Sequence, residues 1–227
     1  MINNTRAIFI IFMGMLCVSC SSGPQEFDSV SYQTPSGEVV GRAIGNVEIF
    51  RGIPYAEKPL AELRFAPAKL LSQWNGTLEA FKQGGVCPQG ANVSLISADA
   101  ELSEDCLYLD IYKPAGEHKN LPVLFWIHGG GFTQGSGVDY DGSVLANQGQ
   151  VIVVSINYRL GLLGFADASS WGGDFVGSHN NGITDQIVAL QWVQRNIASF
   201  GGDSERVTIF GESAGGSSVP ALVSAAQ

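Results

Sequence analysis

Positive charge is scarce in this chain. Its 227 residues include 12 Lys and Arg against 21 Asp and Glu, which gives a formal net charge of −9. No segment concentrates the basic residues, and binding to a nucleic-acid backbone relies on such clusters, so no nucleic-acid partner is expected. Repeats and low-complexity linkers are also missing. With 45% apolar residues, the composition therefore predicts one domain with a hydrophobic core.

Cysteine is scarce as well. The chain has four, and two of them lie in or beside an apolar N-terminal segment. There, Arg6 precedes an almost wholly apolar run over Ala7–Val18. Twelve residues at ~1.5 Å per residue are too few to cross a ~30 Å hydrocarbon core. The run therefore predicts the hydrophobic part of a signal peptide rather than a membrane span.

The end of this segment, Leu16–Cys20, resembles a bacterial lipoprotein signal, with cleavage before Cys20 and a lipid on its sulfur. We therefore expect residues 1–19 to be a signal that is removed, and the chain to be exported. It would then be a periplasmic or outer-membrane-anchored lipoprotein, or a secreted protein if ordinary cleavage occurs nearby. Membrane attachment would come from the lipid alone.

The other two cysteines, Cys87 and Cys106, lie in the body of the chain. An exported protein meets an oxidising compartment, where an even number of cysteines predicts a disulfide. Closing a loop of this span is worth roughly 3 kcal/mol. Two unpaired buried thiols are the alternative.

A Gly-x-Ser-x-Gly motif around Ser213 carries the chemistry. The segment Gly211–Gly216 follows a β-branched and aromatic run, Val207–Phe210, and precedes a segment that can form a helix, Ser217–Val223. Strand, motif and helix in this order are typical of a nucleophile elbow. The glycines allow a turn so tight that the serine hydroxyl rises above the sheet. Ser213 is therefore the candidate nucleophile.

A glycine loop upstream of the motif predicts the second part of a catalytic site, an oxyanion hole. The apolar run Leu121–Ile127 predicts a buried strand, and His128–Phe132 follows it with three consecutive glycines. Such a loop brings backbone N–H groups close to a ligand, as an oxyanion hole requires. The predicted donors are the N–H groups of Gly130, Gly131 and Ala214.

Other uses of a glycine loop fit the sequence less well. No Lys-Ser/Thr follows it, as a phosphate-binding loop would need, and the third glycine of a dinucleotide fingerprint would fall at Gln134. A plain flexible loop remains as the alternative. No cofactor and no metal are expected.

Apolar runs and turn residues predict an α/β protein. Residues Asp185–Ala198 have helical periodicity, with Thr184 or Asp185 as the N-cap and Gly201-Gly202 after the end. The predicted strands are a small N-terminal β-meander over Ser29–Gln33, Val39–Ile44 and Val47–Phe50, and a main sheet over Leu107–Tyr112, Pro122–Ile127, Val151–Asn157 and Val207–Phe210.

These motifs together resemble a known family, the type-B carboxylesterases, which include the cholinesterases. The resemblance runs from about Val30 to Gln227. It rests on Phe50–Ala56, Leu63–Phe65, Ser103–Leu109, His128–Phe132, Asn157–Gly161, Asp185-Gln186, Trp192-Val193, Phe200–Asp203 and Phe210–Gly216. It implies the N-terminal part of an α/β-hydrolase fold, with a central mostly parallel sheet, and serine-dependent hydrolysis of small carboxylic esters.

The resemblance also implies roles for single residues. It pairs Cys87 with Cys106 beside the active-site gorge, and it gives His128 a structural role. It further implies two buried ion pairs, Arg64–Glu104 and Arg159–Asp185. Glu212, beside the candidate nucleophile, either tunes the field of the site or supports the elbow by hydrogen bonding.

The rest of a catalytic triad does not follow Ser213. In this fold the order is serine, then Asp or Glu, then His, but residues 214–227 contain none of these. We therefore expect residues 20–227 to be the N-terminal portion of a single truncated hydrolase domain. Alone, it should be inactive and should fold poorly, because its sheet would end in an open hydrophobic edge.

Other readings stay open at this stage. A histidine upstream of the serine is used in chymotrypsin-like proteases, but those are all-β, and the predicted helix argues against that fold. The three histidines are His118, His128 and His179. A non-catalytic, cholinesterase-like binding or adhesion protein and an inactive truncated relic are the alternatives to an enzyme. The particular ester and the oligomeric state are left open.

Overall fold

The computed structural model describes residues 28–90 and 100–225. The predicted signal, Cys20 and the proposed lipid site lie outside the described residues. The strands are β1 Asp28–Thr34, β2 Gly37–Ile44, β3 Val47–Pro54, β4 Thr77–Glu79, β5 Tyr108–Pro114, β6 Leu121–Ile127, β7 Ile152–Ile156 and β8 Gly202–Gly211. The α-helices are α1 Ser143–Gly149, α2 Gly161–Phe165, α3 Asn181–Asn196 and α4 Ala214–Ala225.

These strands form one mixed sheet in the order β1-β2-β3-β5-β7-β6-β8, with the short β4 beside β2. From β1 to β7 along this order, neighbours are antiparallel. At the other end of the sheet, β6 is parallel to both β7 and β8. The predicted meander and the predicted α/β-hydrolase class are thus confirmed.

The core lies between the sheet and α3. All five residues of β7 are buried, as expected for a strand covered on both faces. In β6 every second side chain is buried, so one face of this strand packs inward. Trp192, in the C-terminal half of α3, is fully buried and lies 6.4 Å from Phe200, measured between ring centroids. This packing fixes the parallel strands, whose carboxyl ends carry both candidate loops.

Helix α3 begins earlier than the sequence predicted. It starts at Asn181 rather than Asp185, and neither Thr184 nor Asp185 is its N-cap. Asp185 lies inside the helix, where its carboxylate is fully buried and ion-paired with Arg159. The helix ends at Asn196, a 3₁₀ turn follows, and Gly201 closes it with φ of 83°.

Two further differences concern strands. β8 begins at Gly202, five residues before the predicted start at Val207, and the three-residue β4 was not predicted. Among the described helices, none is both long and apolar enough to span a bilayer.

Candidate active site

The elbow connects β8 to α4. Ser213 has φ of 52°, a left-handed backbone conformation that is rare for a residue with a side chain. Such a residue is strained by about 1–2 kcal/mol and persists only where its surroundings hold it. Here the Gly215 N–H donates to the Glu212 carbonyl at 2.8 Å, and the Ser217 N–H donates to the Ser213 carbonyl at 2.9 Å. The turn leaves the Ser213 side chain exposed.

Both elbow glycines lie against the end of β6. A Cβ on Gly211 would lie 2.6 Å from the Ile127 carbonyl oxygen and 2.6 Å from the Gly215 carbonyl carbon. A Cβ on Gly215 would collide with the Ile127 carbonyl. No larger residue fits at either position without moving the backbone, because real Cβ atoms do not approach this closely.

The glycine loop follows β6 and touches the elbow. A Cβ on Gly129 would lie 3.1 Å from the Ser213 Cβ and would also strike Glu212. The next three residues, Gly130, Gly131 and Phe132, all have positive φ, at 98°, 63° and 60°. Left-handed residues in series turn the backbone sharply. The structure therefore brings the predicted glycine loop into contact with the predicted nucleophile.

The three predicted oxyanion donors are backbone N–H groups of the glycine loop and of the first turn of α4. Within the described residues, no hydrogen bond uses the N–H of Gly130, Gly131 or Ala214. For Ala214 this follows from its place in the first turn of α4, where N–H groups have no intrahelical acceptor. Unpaired backbone donors beside an exposed serine are what an oxyanion site needs.

Phe132 closes the glycine loop and ties it to α2. Its carbonyl accepts a hydrogen bond from the Gly161 N–H at 2.8 Å, and its ring lies 5.2 Å from that of Phe165. Within α2, Gly164 packs directly on the Arg159 carbonyl. The glycine loop is therefore connected, through α2, to Arg159, which forms an ion pair with Asp185 of α3.

His128 is buried beneath the glycine loop. Its ring stacks on Tyr158 at 4.4 Å, and its Nδ1 lies 2.8 Å from the Gly129 carbonyl oxygen. The Tyr158 hydroxyl donates to the His128 carbonyl at 2.9 Å. Burial lowers the pKa of His128 to about 4, so the ring is neutral near pH 7. These contacts fit a supporting residue rather than a general base.

Neither of the other histidines is bonded to the serine. His118 Nε2 contacts the Ala115 carbonyl at 3.0 Å, next to the amino end of β6 and far along the strand from the elbow. It borders a cavity of about 470 Å³ that Tyr32 and Ser199 also line. His179 is exposed in the turn before α3. Nor do three acidic, histidine or cysteine side chains meet anywhere in the described residues, as a metal site would require.

Glu212 supports the elbow through its backbone. Its carbonyl accepts the Gly215 N–H, whereas its carboxylate accepts no hydrogen bond from the described residues. The side chain is exposed. Its charge helps to raise the pKa of Tyr140, although desolvation of that hydroxyl is the larger cause.

The structure joins Cys87 and Cys106 in a disulfide. Two residues further on, the side chain of Gln89 binds the backbone of Gly135, beyond the glycine loop. Sequence reasoning missed Gln89, because its partner lies 46 positions away and no local pattern marks the pair.

The two implied ion pairs both form, but only one is buried. Arg159 and Asp185 are 3% and 0% exposed, and two guanidinium nitrogens of Arg159 donate to the carboxylate. The Arg64–Glu104 pair is 48% and 29% exposed, so the expectation that it would be buried was wrong. Arg64 follows a short 3₁₀ turn at the surface, where solvent reaches its side chain.

A mixed sheet with a strained serine between β8 and α4, facing a glycine loop after β6, defines an α/β-hydrolase. The model of the carboxylesterase family matches residues 28–227. The chain belongs to the carboxylesterase family.

Individual relatives agree with this assignment. The chain is 47% identical over 195 residues to the para-nitrobenzyl esterase of Bacillus subtilis, covering 84% of this chain and 39% of the relative. It is 42% identical over 227 residues to a human cocaine esterase, covering 92% of this chain and 40% of that protein. A para-nitrobenzyl esterase structure superposes with a TM-score of 0.81 at 46% identity, covering 85% of this chain and 40% of that one.

A carboxylesterase of Geobacillus stearothermophilus is similar at a TM-score of 0.78 and 46% identity, with 86% of this chain and 40% of that chain covered. The chain thus spans about two fifths of the length of the relatives it matches.

Proposed function

We propose that this chain carries the nucleophile and the oxyanion hole of a serine esterase that acts on small carboxylic esters. The observation that carries the proposal is the contact between the two loops: Gly129 packs on Ser213, and no described residue accepts a hydrogen bond from the N–H groups of Gly130, Gly131 and Ala214. The names of the relatives, para-nitrobenzyl esterase and cocaine esterase, support an ester as the substrate.

In the proposed reaction, the Ser213 oxygen attacks the ester carbonyl carbon and its proton passes to a histidine. The carbonyl oxygen becomes negative and accepts hydrogen bonds from the three N–H groups. The C–O bond of the ester then breaks, the alcohol leaves with a proton, and water releases the acid from the acyl-enzyme. One such donor is worth about 3–4 kcal/mol in the transition state.

In this proposal the histidine and its acidic partner come from sequence outside residues 1–227. His128 is neutral, buried and engaged with Tyr158, and no Asp, Glu or His follows Ser213. We call residues 1–227 joined to a C-terminal continuation that supplies both groups the extended protein. Glu212 would add its charge to the field beside Ser213 without taking the proton.

Hydrolysis of p-nitrophenyl acetate tests the proposal. The extended protein should turn the ester over, Ser213→Ala should lower kcat about 10⁴-fold or more, and residues 1–227 alone should show no turnover. Ser224→Ala, an exposed serine near the end of the same helix, is the matched control and should keep the parent rate.

Equal rates for the parent and Ser213→Ala would refute the assignment. A correctly folded extended protein that hydrolyses no ester would point instead to a cholinesterase-like binding protein or an inactive relic.

We also propose that the chain is exported, with cleavage before Cys20 and a lipid on that cysteine. The support is the Arg6 and apolar run that precede Leu16–Cys20. Mass spectrometry of membrane fractions should find an acylated peptide beginning at Cys20, and a Cys87–Cys106 link that separates only on reduction. A cytosolic protein that keeps Met1 and two free thiols would overturn the localisation and leave the esterase assignment intact.

A further inference from the structure

The side chain of Gln89 is held against the segment that follows the glycine loop. Its Nε2 donates to the carbonyl oxygens of Gly135, at 2.9 Å, and Cys87, at 3.1 Å. Its Oε1 accepts from the Gly135 N–H at 2.8 Å. The amide therefore pairs with both backbone groups of one residue, which requires a donor and an acceptor on the same short side chain.

Gly135 in turn packs closely against the start of the glycine loop. A Cβ on Gly135 would lie 2.6 Å from His128 Nδ1 and 2.7 Å from the Gly129 carbonyl oxygen. Its neighbour Gln134 donates its N–H to the Gly130 carbonyl at 3.1 Å. Residues 134–135 therefore pack against Gly129 and Gly130, so a group that fixes Gly135 also restrains the glycine loop.

The other end of this connection is anchored at two points. Cys87, whose carbonyl accepts from Gln89, is bonded to Cys106. The Asn157 side chain, just after β7, donates to the Gly85 carbonyl at 3.0 Å and accepts the Gly137 N–H at 2.8 Å. The segment before Gln89 and the segment after the glycine loop are thus also joined through Asn157, two residues beyond Gly135.

We propose that Gln89 is a positioning residue for the oxyanion hole: it transmits the rigidity of the Cys87–Cys106 disulfide to Gly130 and Gly131. This inference rests on the proposed esterase function. Oxyanion donors act only when they are fixed in advance, and a displacement of 1 Å costs about 100-fold in rate. The side-chain hydrogen bonds of Gln89 go to Gly135 and Cys87, and none of them reaches Ser213.

The direct test is Gln89→Glu in the extended protein. The change keeps the shape and the acceptor for the Gly135 N–H, but it turns an oxygen toward two carbonyls that had received a donor. We expect kcat for p-nitrophenyl acetate to fall about tenfold or more, with KM within about twofold, because the interaction lost is one made in the transition state. Binding of a boronic acid that adds to the serine should weaken in parallel.

Gln83→Glu is the matched control. This glutamine lies six positions earlier, and its Nε2 donates to the Val138 carbonyl at 2.9 Å without touching Gly135. The same chemical change there should leave kcat at the parent value. Gln89→Met, which removes the hydrogen bonds without adding charge, replaces Gln89→Glu if the thermal melt shows that the charge prevents folding.

A second experiment tests the connection to the disulfide. Replacing both Cys87 and Cys106 with Ala should lower kcat, and the same double change added to Gln89→Met should lower it no further, because the two act through one path. Losses that multiply would overturn the proposal, as would a parent-like kcat in Gln89→Glu or equal losses in Gln83→Glu. An extended protein without esterase activity would refute the proposed function, and this inference with it. An active one that tolerates Gln89→Glu would refute this inference alone.

Discussion

The antiparallel and parallel halves of the sheet deal with polar groups in different ways. The antiparallel half contains a buried cation. Lys113 of β5 is 1% exposed, and its ammonium group donates to the Glu48 carboxylate, the Tyr32 hydroxyl and the Gly116 carbonyl. In the parallel half, β6 is wholly apolar, β7 has Ser155 as its one polar residue, and irregular backbone begins where β6 and β8 end. A buried polar group needs its partners because losing one leaves a costly unpaired group, whereas unpaired groups at strand ends remain available for a ligand.

Adding a methyl group to a glycine in each half should give the largest contrast. Gly211→Ala places a Cβ 2.6 Å from backbone atoms of Ile127 and Gly215, so we expect little soluble folded extended protein and no activity. Gly45→Ala, in the turn between β2 and β3, meets nothing within 4 Å and should cost only about 1 kcal/mol for its left-handed φ. The yield of soluble protein and the free energy of unfolding in urea should be measured for both variants. Equal losses in Gly211→Ala and Gly45→Ala would contradict the contrast between the two halves.

Neutralising the acid of a buried ion pair should come next, with Glu48 in the antiparallel half and Asp185 in α3, which contacts β8 of the parallel half. Glu48→Gln and Asp185→Asn each leave a buried cation unpaired, so each should lower the free energy of unfolding by about 3–5 kcal/mol. Only Asp185→Asn should also lower kcat, because Arg159 supports α2 and, through it, Phe132. Urea unfolding with p-nitrophenyl acetate assays checks both. A kcat loss in Glu48→Gln would show that the antiparallel half also shapes the site.

The smallest contrast concerns pH. Burial raises the pKa of Asp110, in β5, to about 6, so its contribution to stability is complete below its ordinary value of 3.8 and is lost as the pH rises to about 6. Burial lowers the pKa of His128 to about 4, so its contribution is complete above 6.5 and is lost as the pH falls to about 4. Each amounts to about 3 kcal/mol.

Between pH 4 and 6, the free energy of unfolding falls with rising pH because of Asp110 and rises with pH because of His128. The two dependences should therefore nearly cancel in the parent. Calorimetry of the extended protein should show that Asp110→Asn lowers Tm further as the pH falls, and that His128→Gln does the reverse. Identical Tm profiles for the two variants would contradict the assignment of these slopes.

The sequence predicted the parts of the molecule that depend on neighbours along the chain. Alternating and apolar runs located the main strands, and the fixed spacing of glycines and serine located the elbow. Prediction from the sequence failed where the structure around a residue depends on a partner far along the chain. Asp185 resembles an N-cap, yet it lies inside α3, paired with Arg159, which is 26 positions away. The family resemblance implied this pair, but the local pattern did not place Asp185 within the helix. Gln89 and Lys113 carry no local mark, since their partners lie on other strands and loops.

The close packing of Gly129, Gly211 and Gly215 also has a consequence for inheritance. Glycine codons share their first two bases, and every missense change of a single base within them encodes a residue with a Cβ. At these three positions that carbon strikes neighbouring atoms. A single missense mutation at any of these glycines therefore disrupts the site, and no milder one-base substitution exists there. The open turn at Gly45, in contrast, can accept other residues.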